Sequence, residues 1–226
     1  MDIEDFISLE NAVTISIKHI CYGIEEIEKL DGSSASYHVA FSFLASGFER
    51  LMKSIICFWE FKEKGHFPNV KQYRHNLKDL KQKIVEICYE MDYKNKCTAC
   101  AEDMEFFEYD DLLDKIIELL SIFGQKARYY DFDKISGNKI DYSNPYEIIE
   151  EIENEVVSKN NQLQKLQFAE GKHNEFIKEL NNELRKIFNR FARALCRLFA
   201  LGDLGKDAKK MTGHISSFLF LTDAKL

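Results

Sequence analysis

Two prolines and ten glycines are all that interrupt these 226 residues. So few breakers argue against a turn-rich, many-stranded organisation and leave long segments free to be helical. Also missing is any apolar run approaching the roughly 18 uninterrupted residues that a membrane-spanning helix needs, so a soluble protein with no membrane partner is expected. A basic excess is missing too: 31 Lys and Arg stand against 38 Asp and Glu, a net charge of −7. That balance argues against broad electrostatic binding of duplex nucleic acid and leaves room for a local basic groove. The opening residues MDIEDFISLENAV carry acids where a secretory leader has a basic start and an apolar run, so the cytoplasm is the expected compartment. No Gly-rich phosphate loop, serine nucleophile elbow or zinc-protease spacing occurs, which disfavours the ordinary enzyme classes that depend on them.

What is present is an all-α pattern, with apolar residues recurring at spacings of three and four through most of the chain. Helices are expected at about 3–30, 35–64, 75–91, 112–123, 146–168 and 176–201. The second is rich enough in Phe41, Phe43, Leu44, Phe48, Leu51, Ile55, Phe58 and Trp59 to be central to the core. A single domain over 1–226 is expected, with a core bundle at 1–130 plus 174–202. The stretch 130–145, carrying Gly137-Asn138 and Asn144-Pro145, reads as an irregular insert with a possible hairpin. The charged segment 146–171 has only a thin apolar line and reads as a projecting or partner-packed helix. The apolar patch near 215–221 reads as part of a covering element over 206–226.

Six cysteines, four of them (Cys21, Cys57, Cys88, Cys196) within apolar helical stretches, read as small reduced hydrophobes rather than a disulfide framework. Cys97 and Cys100 form a CxxC with no second pair, so neither a structural zinc site nor any other metal or cofactor is expected; two reduced thiols at a helix start are the simpler reading. Lys186, Arg190, Arg193 and Arg197 recur at four, three and four residues along the last long helix. Two readings are open for this stripe: a solvated face, paired with acids such as those of 147–155, or a track for an RNA backbone. The acidic residues of 102–111 lack the spacing of a calcium loop and read as a helix-start preference.

The most informative stretch begins Phe43-Leu44-Ala45-Ser46-Gly47-Phe48-Glu49-Arg50-Leu51-Met52-Lys53 and continues, after a Gly/Pro break, to His75-Asn76-Leu77-Lys78-Asp79-Leu80. It resembles the HEPN family, in which a helix carrying apolar-Glu-x-Leu-x-Lys is followed by a loop and a helix opening His-Asp/Asn-Leu-x-x-Leu. Ala127-Arg128-Tyr129 is similar to the Ala-Arg-Tyr motif of nucleotidyltransferase-associated members, and the three motifs occur in the family's order. The resemblance spans about 37–130.

It implies an antiparallel bundle of five to seven helices, often a homodimer, acting in RNA cleavage or in binding a nucleotide, RNA or a nucleotidyltransferase-type partner, in a toxin–antitoxin or phage-defence setting. Ribonuclease members use an arginine followed, after four to six intervening residues, by a histidine. None of His19, His38, His66, His75, His173 and His214 has an arginine at that distance before it. The implied function is therefore a binding module without the usual ribonuclease site, with a divergent metal-independent dimeric ribonuclease and a helical protein–protein interaction module as alternatives. Glu49, Lys53, His75, Arg128 and Tyr129 are the candidate binding residues. Each has a structural alternative: Glu49 and Lys53 as an i,i+4 ion pair, His75 as a packing or capping residue, Arg128 as a helix C-terminal charge.

Overall fold

The computed structural model describes residues 1–125, 130–137 and 142–223. Among them are eleven α-helices and no strand: α1 (Ile3–Ile27), α2 (Ser34–Lys64), α3 (Leu77–Glu90), α4 (Thr98–Tyr109), α5 (Asp111–Gln125), α6 (Tyr130–Ser136), α7 (Pro145–Lys159), α8 (Asn161–Gln167), α9 (His173–Leu201), α10 (Lys206–Lys209) and α11 (Ser216–Leu219). The count exceeds five to seven because α6, α8, α10 and α11 have seven residues or fewer.

Local chemistry sets the ends. Ser33 caps α2 by accepting the Ser36 amide, and Gly65 closes it in the left-handed region at φ 73°, its N–H returned to the Phe61 carbonyl. Asn76 caps α3 through the Lys78 and Asp79 amides, and Asn144 caps α7 just before Pro145, whose missing N–H costs nothing at a first turn.

Helix α2 is the spine, lying against α1, α3, α5 and α9. Its Phe48 meets Phe188 and Phe191 of α9, and Phe58 meets Phe199. The α1–α2 pair is antiparallel: Gly23 faces Leu44 while Gly47 faces Ile20. A Cβ built on Gly47 would fall 2.9 Å from the Ile20 backbone nitrogen and 3.0 Å from the Ser16 carbonyl oxygen. The absence of a side chain there lets the helices close and fixes the register that places Ser46, Glu49 and Arg50 on the rim beside α1.

Four expectations are corrected. Residues 130–136 are helical rather than irregular, with Tyr130 packed edge-on against Tyr142 and Tyr146, while Asn138, at the expected hairpin turn, lies outside the described residues. Helix α7 does not project: Ile148, Ile149, Ile152, Val156 and Val157 are buried, and it packs on α5, α8 and α9. The charged residues leave a narrow apolar stripe that these neighbours cover, and Tyr37 donates to Glu153 at 2.6 Å while Lys115 pairs with Glu155 at 2.8 Å. The acidic run is not a lead-in but the body of α4, and its Asp103 is 4% exposed. The basic stripe on α9 is not uniformly solvated either. Arg197 bonds Asp103 at 2.8 Å, and Arg193 is buried, bonding the Leu221 carbonyl and Asp223. Arg190 lies 4.1 Å over the Phe106 ring, and Lys186 pairs with Glu183 of its own helix. The partners come from α4, the C-terminal tail and α9 itself, not from 147–155. These contacts take Arg193 and Arg197 out of any RNA track and leave Lys186 and Arg190 exposed.

Candidate functional site

Along α2 the polar residues Ser42, Ser46, Glu49, Arg50 and Lys53 fall at helical spacing on one edge of an otherwise apolar helix. They line one wall of a groove of about 460 Å³ whose other walls are His75, before α3, and Phe123 and Gly124 at the end of α5. The chain reaches His75 through a single 3-10 turn, Val70–Tyr73, and through Arg74, a non-glycine residue at φ 46°. Such a backbone is strained for an L-residue, and the Lys53 ammonium holds it by donating to the Arg74 carbonyl. Gln125 at the end of α5 donates to the His75 carbonyl at 3.2 Å, and Ser121 accepts the Leu77 amide at 3.0 Å. The imidazole is thus delivered by three elements together.

Glu49 is the hub. One carboxylate oxygen accepts from Lys53 at 2.6 Å and the other pairs with His75 Nδ1 at 2.9 Å. The Glu49 and Lys53 side chains are 12% and 19% exposed, whereas His75 is 55% exposed. Glu49 and Lys53 therefore position, and the more exposed His75 lines the groove. Arg50 is exposed and, among the described residues, forms no ion pair. It is the cation with donors to spare. Across the rim, His19 of α1 bonds Ser46 at 3.0 Å and stands edge-on to the exposed Phe43, which in turn meets Tyr22. Burial and the Arg50 charge hold the His19 imidazole below its ordinary pKa, which disfavours a second positive charge beside the permanent cation.

Of the residues singled out from sequence, Glu49, Lys53 and His75 converge in one groove; Arg128 and Tyr129 lie outside the described residues. The four basic residues of α9 are occupied elsewhere, as described. Arg50, Ser46 and His19 were not singled out. The polar stripe of α2 was the available signal for the first two; nothing in the α1 sequence marks His19, which joins only because Gly47 brings the helices together. The CxxC cysteines lie away from this groove, with Cys97 capping α4. Among the described residues no group of three or more His, Cys, Asp and Glu side chains could hold a metal ion, and no helix is long and apolar enough to cross a membrane. Comparison with known proteins finds no matching family model, no matching curated protein and no matching solved structure.

Proposed function

We propose that this chain is a HEPN-like helical binding module whose α2–α3 groove takes a phosphate group of a nucleotide or an RNA strand. The observation that carries the reading is the convergence of Glu49, Lys53 and His75, 26 residues apart at the extremes, around one groove edged by the unpaired Arg50. A guanidinium with free donors suits a phosphate bidentately, and a local cationic rim can act despite the net negative charge. Lys53 contributes by holding the Arg74–His75 corner rather than by reaching the ligand. A second copy of the chain or a nucleotidyltransferase-type protein would be the partner in a toxin–antitoxin or phage-defence setting.

The test is binding of fluorescent nucleotides and short RNAs to the full chain, titrated against salt. Losing a charge-assisted hydrogen bond is worth about 1.5–3 kcal/mol, so Arg50→Ala should weaken binding by roughly 10- to 150-fold, and Arg50→Lys should recover part of it. Binding indifferent to Arg50 and to salt would defeat the proposal. One observation favours a second reading: Glu49 paired to Nδ1 leaves His75 oriented as a general acid or base. In the same samples, RNA shortening that persists in chelator and disappears in His75→Ala would make the groove a metal-independent ribonuclease site.

A further inference from the structure

The CxxC at the start of α4 is far more organised than two thiols on a helix need to be. Cys97 is exposed and is the N-cap of α4, its sulfur accepting the Cys100 amide at 3.2 Å. Cys100 is buried, and the two Sγ atoms are 2.7 Å apart. Near them Tyr93, itself fully buried on the preceding 3-10 turn, donates its hydroxyl to Asp103 at 3.1 Å. Asp103 is in turn bonded to Arg197 of α9. One sulfur faces solvent, the other is buried, and an amide hydrogen is already directed at the exposed one.

We infer that Cys97 and Cys100 form a reversible dithiol–disulfide pair, with Cys97 the attacking sulfur and a low-molecular-weight disulfide as oxidant. In the first step the Cys97 thiolate attacks one sulfur of the disulfide, forming a mixed disulfide and expelling one thiolate. In the second, Cys100 gives up its proton and attacks Cys97 Sγ, closing the protein disulfide and expelling the second thiolate. The two protein protons end on the two released small thiols, so two thiols and one disulfide become one disulfide and two thiols. The roles are fixed by access: an exposed sulfur can be reached by a soluble disulfide, and a buried one cannot. Burial and the neighbouring Cys97 push the Cys100 thiol up to about 12, so Cys100 acts as the resolving sulfur and not as the first to attack. Cys88, buried within the same core, is a structural thiol in this scheme.

The full chain would be equilibrated with reduced and oxidised glutathione at a series of ratios, quenched in acid and alkylated. Intact mass and peptide mapping would follow. The expected result is a single midpoint at which the peptide carrying Cys97 and Cys100 becomes two hydrogens lighter and refuses alkylation, reversed by dithiothreitol. Cys100→Ala should stop at the glutathione mixed disulfide on Cys97. Cys97→Ser, which puts a hydroxyl acceptor in place of the capping sulfur and so keeps the helix start, should leave Cys100 reduced at every ratio. Cys88→Ala should not move the midpoint. Full alkylation of both cysteines of the wild-type chain at every ratio would overturn the inference, as would an oxidised Cys97 linked to Cys88 or to a second chain instead of Cys100.

Discussion

Two members of one basic stripe should behave as different kinds of residue when each is replaced by methionine. Arg197 is bonded at 2.8 Å to an Asp103 carboxylate that is 5% exposed, whereas Lys186 is 41% exposed and pairs with Glu183 one turn away. Removing one partner of a buried pair leaves an uncompensated charge and costs about 3–5 kcal/mol, while an exposed i,i+3 or i,i+4 pair is worth about 0.3–0.5 kcal/mol. Because Arg197 keeps slight access to water at 15% exposure, the low end, about 3 kcal/mol, is expected for Arg197→Met. In a chain of this length that is a fall in Tm of roughly 6–12 °C. The assay is urea unfolding at several pH values, with melting in parallel. Burial already holds the Asp103 carboxyl above its ordinary pKa, against the pull of Arg197. Without the arginine the folded-state value rises further above the unfolded one. The charged form is then the disfavoured one in the fold, so the penalty is full well above the folded-state pKa and fades as pH falls through it. Wild type and Arg197→Met should therefore converge in acid. Adding Asp103→Asn, which removes the charge and keeps an acceptor for Tyr93, should restore at least half the loss at neutral pH. Equal costs for Arg197→Met and Lys186→Met, or a pH-independent gap, would refute the reasoning.

Gly47→Ala should destabilise the fold by about 1–2 kcal/mol despite the better helix propensity of alanine, since the overpacking cost of about 1–3 kcal/mol outweighs the propensity gain. Its obstacles are the Ile20 side chain and backbone and the Ser16 carbonyl, and the same variant should weaken ligand binding by loosening the rim. Chemical denaturation with the binding assay beside it checks both. His19, held low by burial and by Arg50, contributes a stability that is present above its unfolded pKa and lost as pH falls from there through the folded value. In an NMR titration its pKa should rise in Arg50→Ala, and rise in the wild type when phosphate or a nucleotide offsets the Arg50 charge. A pKa unmoved by a ligand that binds would place the ligand elsewhere.

The all-α character and the main helix boundaries were legible in the sequence because they depend on local terms, apolar spacing and the Gly65 stop, although the cap of α3 is Asn76 and not His75. So was part of the groove, since Glu49 and Lys53 share a face of one helix by their spacing alone. What only the tertiary structure decided is which charges are surface and which are structural. Spacing set the α9 cations in one line, yet a 29-residue helix is covered on different sides along its length. Asp103 and the C-terminal tail arrive from distant sequence to bury Arg197 and Arg193. Helix α7 was misjudged for the same reason: its narrow stripe looks unsatisfied until α5 and α9 are there to cover it. His75 is the converse case, a residue visible in the sequence whose partner is not. A strained corner, the end of α5 and a lysine of α2 bring it to Glu49, and contacts of that range leave no periodic mark on the chain.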